Sequence, residues 1–157
     1  MTFTKVTDRL SYGGLDTCCR KAAHDRAIIH ACKEPCHRAA LGYAQKSLPR
    51  THAAYLAHET PGHLYLNMID PPLPLFQLDS FRRVLAFYDS LQPDQPLHIH
   101  CNQGRSRAPS LALLIMAKRL GLLPAESYRA ARAAFPHPYA PGEGIAQFLT
   151  LNWTDIS

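Results

Sequence analysis

Apolar residues along this chain fall into short runs separated by proline and glycine, and two periodicities alternate. RAIIHAC (26–32) and GHLYLNMID (62–70) read as short buried strands, the second running into PPLPL, whose prolines forbid helix and stiffen the loop that follows. DSFRRVLAFYDSL (79–91) places Phe81, Val84, Leu85, Tyr88 and Leu91 at helical spacing, with Asp79 or Ser80 suited to cap its first free N–H groups. PLHIHC (96–101) reads as a third strand. APSLALLIMAKRLG (108–121) reads as a helix with Pro109 in its first turn, an all-round apolar stretch from Leu111 to Met116, and Gly121 as its stop. PAESYRAARAAF (124–135) and GIAQFLTLNW (144–153) complete the helices. Helices between short strands predict an α/β fold: a three-layer sandwich with a mostly parallel central sheet of about four to five strands and helices on both faces. In such sheets the binding crevice forms at the carboxyl ends of strands. Asp70 and Cys101 both fall at such ends.

The 157 residues are 46% hydrophobic, enough for one domain with a substantial core, and neither repeat nor linker divides them, so residues 1–157 are expected to form a single catalytic unit. Lys and Arg exceed Asp and Glu to give a net charge of +5, which favours anionic partners. The N-terminal MTFTKVTDRLSYGG lacks the apolar core of a signal peptide and no run is long enough to span a bilayer, so a cytoplasmic protein is expected. The five cysteines (18, 19, 32, 36 and 101) are odd in number and partly adjacent, which argues for free thiols over a disulfide framework.

The chemistry concentrates in HIHCNQGRSRAPS (98–110). A strand leads into Cys101, five residues follow, and Arg107 opens a helix, giving the spacing C-x5-R with Gly104 inside it. A loop of that length can turn its N–H groups onto one point while the next helix aims its positive end there, which is an anion site. Asn102, Gln103, Gly104, Arg105, Ser106 and Arg107 would then surround a phosphate, with the planar fork of Arg107 gripping two of its oxygens. The same field favours a thiolate over a thiol, so the loop would bind phosphate and activate its attacker together.

HCNQGRSRAPS resembles the signature loop of the protein tyrosine phosphatase superfamily, in particular its compact dual-specificity branch, whose loops read much like HCxxGxSRS. RLSYGG near the start and PGEGIAQFLTLNW near the end are similar to the flanking segments of those domains. The resemblance implies a phosphatase-like fold and a cysteine-dependent phosphatase, with Cys101 as nucleophile, Arg107 as phosphate-gripping arginine and His100 as a loop support. It implies no metal or organic cofactor. The implied substrates are phosphorylated proteins, carrying phosphotyrosine or phosphoserine and phosphothreonine, or other phosphomonoesters such as phosphoinositides or RNA 5′-phosphates. This sequence departs from the family at Ala108, where the family has a serine or threonine hydroxyl that stabilises the thiolate; Ser106 and Ser110 are the nearby substitutes.

Cleavage by a thiolate leaves an alkoxide or phenoxide that needs a proton. Asp70, 31 residues before Cys101 and ahead of the stiff proline loop, stands where the family carries its acid. Asp79 is the rival, with helix capping as its competing task. Arg105 is either a contact to a second anionic group or a solvated side chain. Cys18, Cys19, Cys32 and Cys36, with His24, His30 and His37, suggest zinc, but no paired C-x2-C knuckle supports it, and buried free cysteines account for them as well. The basic pairs Arg82–Arg83 and Lys118–Arg119, with Arg129 and Arg132, lack the aromatic platform of a single-strand binder, which argues against nucleic acid. A phosphate-recognition module without turnover, and a reductase using Cys32 or Cys36 to resolve a disulfide on Cys101, keep the loop but change its task. The segment KEPCHRAALGYAQKSLPRTHAAYLAHET is expected to carry a helix that walls the site.

Overall fold

The structure is a computed structural model that describes residues 3–19 and 25–157. Six strands form one sheet: β1 (Phe3–Lys5), β2 (Leu10–Gly13), β3 (Ala27–His30), β4 (Ala57–Thr60), β5 (His63–Leu66) and β6 (Leu97–His100), in the order β1-β2-β6-β3-β5-β4. The four central strands are mutually parallel, and β1 and β4 add antiparallel edges. The sheet is thus mostly parallel, with one strand more than the upper expectation of five. β1, β2 and β4 are the strands the apolar pattern does not announce.

Two chemically different faces follow from the alternation of side chains along the strands. Ala27, Ile29, Leu64, Leu66, Leu97 and Ile99 point to one side, where they join the main core with α2 (Leu78–Ser90), α3 (Arg107–Lys118), α4 (Tyr128–Ala134) and α5 (Glu143–Asn152). The buried stretch Leu111–Ile115 of α3 is the centre of that core, which explains why it is apolar all round. The opposite side carries Ser11, His98, His30 and His100, all buried. It is covered by short helical turns at Leu15–Thr17 and Lys33–His37, the latter running into α1 (Arg38–Leu41), and by a cluster of Cys18, Cys32 and Cys36.

Several boundaries differ from expectation. α2 starts one residue early with Gln77 as its cap, and neither Asp79 nor Ser80 caps it; Asp79 instead pairs with Arg82 at 3.5 Å in the first turn. α4 begins only at Tyr128, because the Ser127 side chain accepts the Ala130 N–H, and Pro124 lies well ahead of it. α3 ends at Lys118, with Gly121 in the left-handed region (φ +65°) three residues later. β5 stops at Leu66, so Asp70 stands four residues beyond the strand, on the loop.

Candidate active site

β6 delivers Cys101 to the carboxyl edge of the sheet, and the turn 102–106 returns the chain into α3. Gly104 adopts φ +74°, and a Cβ there would stand 2.7 Å from backbone atoms of Gly13 and Gly14. Only glycine fits a backbone of that hand packed so closely. Loops from three directions hold the turn. Leu15 N–H donates to Asn102 O (3.0 Å), Cys101 N–H to Gly13 O (3.3 Å), and Ala140 N–H to Arg105 O (2.9 Å). Asn102 Nδ2 donates to Glu34 O (2.9 Å), and Gly142 N–H to Ser106 Oγ (2.9 Å).

At the bottom of the turn the Cys101 sulfur is nearly covered and accepts the amides of Gly104 (3.2 Å) and Ala108 (3.4 Å). N–H groups from the middle of the loop and from the first turn of α3 therefore converge on one atom. The Arg107 guanidinium is buried, with Nη1 donating to Ala31 O (3.0 Å) and Met68 O (2.8 Å), and Nη2 to Asn102 Oδ1 (2.8 Å). Its Nε is buried without a hydrogen-bond partner among the described residues. A buried N–H left in that state is costly unless an acceptor meets it.

Above the sulfur opens a cleft of about 550 Å³ lined by Asp70, Cys101, Asn102, Gln103, Arg105, Ser106, Arg107, Ala140 and Gly142. The sequence-chosen residues Cys101, Arg107 and Asp70 thus share one cavity. Asp70 is exposed on its rim and packs on Gly142, where a Cβ would come within 2.6 Å of Oδ1. Asp79 lines a different hollow, with Arg50, His52 and Arg82. Arg105 points outward from an exposed position. Ala140 and Gly142 were not singled out in the sequence; the dense PHPYAPGEG run is the signal that a fixed loop lies there.

The hydroxyls that could replace the one absent at Ala108 are engaged elsewhere. Ser110 Oγ donates to Ser106 O (2.7 Å) and meets Tyr139 Oη at 2.6 Å, while Ser106 Oγ accepts from Gly142. Tyr139 in turn meets Tyr128 Oη at 2.8 Å, and burial pushes the Tyr139 phenol well above its ordinary range, so this network stays neutral. Behind the loop, His100 is fully buried, with Nδ1 3.3 Å from Cys101 O and Nε2 2.8 Å from His30 Nδ1. Burial holds His30 below the usual imidazole range.

Of the other residues singled out, Glu34–Arg38 (2.7 Å), Arg83–Glu59 (3.7 Å) and Arg119–Asp89 (2.8 Å) are ion pairs, and Lys118 Nζ donates to Trp153 O (2.8 Å). The basic pairs are therefore built into the surface of the fold. The segment after Cys32 does supply a short helix, and Glu34 within its first turn touches the loop through Asn102. His24 lies outside the described residues.

No family model and no curated protein sequence matches the chain. Solved structures do. A human tyrosine phosphatase-like serine/threonine/tyrosine-interacting protein superposes with a TM-score of 0.63 over 98% of this chain and 96% of its own, at 17% identity. The PTP-2 phosphatase of Cydia pomonella gives 0.59 over 96% and 89% at 19% identity. This is the tyrosine and dual-specificity phosphatase fold. The Yvh1 phosphatase domain from Chaetomium thermophilum shares it, with a TM-score of 0.57 over 98% of this chain and 95% of that one at 17% identity. In this chain the end of β2 and the residues after it brace the turn through Gly13 and Leu15, and α5 begins against the loop that carries Asp70. Among the described residues no helix is long and apolar enough to cross a membrane.

Proposed function

We propose that this chain is a cysteine-dependent phosphatase that hydrolyses phosphomonoesters, with phosphotyrosine proteins as its first substrate class and phosphoserine and phosphothreonine proteins as its second. The observation that carries the reading is the Cys101 sulfur accepting two amide N–H groups at the floor of a cleft that Arg107 also lines, its buried Nε without a hydrogen-bond partner among the described residues. The exposed Ile69, Leu73 and Leu75 beside Asp70 support a peptide as the bearer of the phosphate over a polyanionic headgroup or an RNA end. The free thiols suit a reducing compartment such as the cytoplasm.

In this reading the Cys101 thiolate attacks phosphorus as the P–O bond to the leaving group breaks. Arg107 and the amides of residues 102 to 107 hold the three equatorial oxygens, where charge accumulates. Protonated Asp70 gives its proton to the departing oxygen. Water then attacks the cysteinyl-phosphate, Asp70 carboxylate takes the proton from that water, and phosphate leaves with the thiolate restored. No metal takes part in either step.

The test is hydrolysis of an aryl phosphate by wild type and Cys101→Ser, with vanadate binding measured on both. Turnover lost in Cys101→Ser with vanadate still bound is the expected result. A wild type that binds vanadate but releases no phosphate would make the loop a recognition module, the alternative that Ala108 and the phosphatase-like interacting protein of the same fold favour.

A further inference from the structure

The sheet face opposite the helices has histidines where an ordinary α/β fold has aliphatic residues, and the two at its centre are direct cross-strand neighbours. β3 and β6 pair His30 with His100 in register, so both rings leave the same face side by side. Against them the chain folds Cys18, just after the turn Leu15–Thr17, and Cys36, within the turn Lys33–His37. The four side chains are at most 1% exposed. One ligand atom from each, Cys18 Sγ, His30 Nδ1, Cys36 Sγ and His100 Nε2, lies within 4.8 Å of all the others.

We propose that Cys18, His30, Cys36 and His100 bind one zinc ion as a closed, structural Cys2His2 site behind the phosphate loop. The separations decide between a metal site and an ordinary polar cluster. Zn–S of about 2.3 Å and Zn–N of about 2.0 to 2.1 Å put the edges of a tetrahedron near 3.8 Å for S···S, 3.6 Å for S···N and 3.3 Å for N···N. Here Cys18 Sγ to Cys36 Sγ is 3.9 Å, Cys18 Sγ to His30 Nδ1 3.7 Å, and Cys36 Sγ to His100 Nε2 3.7 Å. The His30–His100 edge, at 2.8 Å, opens by about 0.5 Å to reach the tetrahedral value.

The surroundings fit the same ion. A metal-bound imidazole generally donates its other N–H to an oriented acceptor. His30 Nε2 stands 3.0 Å from His63 Nδ1, and His100 Nδ1 stands 3.3 Å from Cys101 O, so each ligand ring has such an acceptor. Tyr65 stacks on His30 at 4.3 Å with 9° between the planes and fixes the ring's orientation. Binding releases the two thiol protons, and Zn²⁺ with two thiolates and two neutral imidazoles is uncharged, so burying it incurs no net-charge penalty. Soft sulfur with imidazole in tetrahedral array selects zinc over magnesium or calcium. The site departs from the expectation of a metal-free protein. It also differs from the cluster the sequence suggested, since His100 takes the place of the other histidines and Cys19 and Cys32 stand outside it. Through His100 it would tie the loop that carries Cys101 to β3 and to the turn after Cys32.

Zinc per chain is measured on protein purified from zinc-supplemented cells, and Co²⁺ is titrated into the stripped protein. We expect one zinc per chain, with thiolate-to-cobalt absorption and tetrahedral d–d bands at one equivalent of Co²⁺. Cys18→Ser and Cys36→Ser should lose the zinc and weaken the thiolate band, whereas Cys32→Ser, Cys19→Ser and Cys101→Ser should keep both. Stripping should lower the wild-type Tm by several degrees, with recovery on one equivalent of Zn²⁺. Zinc well below one per chain with no thiolate–cobalt band in wild type would overturn the proposal, whatever the variants do. So would zinc that leaves with Cys101→Ser but stays in Cys36→Ser, which would place the ion on the loop thiol.

Discussion

Asp70 stands exposed on the rim of the cleft while Cys101 lies at its floor, so a substrate would sit between a thiolate below and a carboxyl above. If the carboxyl supplies the leaving-group proton, its removal should matter in proportion to how badly that group needs one. Asp70→Asn is expected to slow hydrolysis of an alkyl or simple phenyl phosphate by roughly 10²-fold or more, and that of a nitro-activated aryl phosphate far less. A plot of log kcat/KM against leaving-group pKa, flat in wild type and steep in the variant, checks it; parallel plots would take Asp70 out of the chemistry. At this scale the sequence was highly legible. Cys101, Gly104 and Arg107 lie on a single uninterrupted loop, so their spacing alone places them together. Asp70 is harder to read, because capping does not separate it from Asp79. Asp79 caps nothing and lines another hollow, a fact of packing that no spacing carries.

Between residue and molecule, Asp70 is only as well placed as the loop 67–77 that bears it, and that loop rests on the start of α5. A Cβ on Gly144 would lie 2.2 Å from Leu73 O and 2.3 Å from Pro71 O, distances that force backbone to move. Gly144→Ala should therefore displace the proline loop and with it Asp70. The expected result is a leaving-group dependence like that of Asp70→Asn, with vanadate affinity close to wild type because the 101–107 turn is untouched. Destabilisation of about 1–3 kcal/mol should accompany it, as for other overpacked sites, measurable as a shift in urea midpoint. Equal activity toward activated and unactivated esters, both at wild-type rates, would show that the loop absorbs the methyl without moving the acid. The helices α2, α3 and α5 are readable from period and breakers: α2 and α5 bury one apolar face, and α3 is an apolar run buried all round between a proline in its first turn and Gly121. β1, β2 and β4 are not: β1 and β4 are edge strands with mixed patterns, and β2, LSYG, carries a buried serine and a glycine in place of a continuous apolar run. The start of α4 lies later than the sequence suggests because a serine side chain outweighs a proline three residues earlier.

For the molecule as a whole, the net charge of +5 and the position of Arg105 make a joint claim on how substrates arrive. Arg82, Arg83, Arg119 and Arg38 are paired in the fold, with Asp79, Glu59, Asp89 and Glu34, whereas Arg105 lies exposed on the cleft wall. Excess positive charge raises the local concentration of anionic substrates, and salt screens it over about 10 Å at 0.1 M and about 3 Å at 1 M. Arg107 is buried and should be screened little, so if it holds the phosphate, kcat should barely change with salt. The ratio kcat/KM for a phosphopeptide with acidic flanks should fall as salt rises, and more steeply than for a small aryl phosphate whose only charge is its phosphate. If Arg105 meets a second anionic group of the substrate, Arg105→Gln should flatten that slope for the acidic peptide and leave the small ester unchanged. A slope equal in wild type and Arg105→Gln would assign the steering to the diffuse charge of the whole surface and return Arg105 to a solvated role.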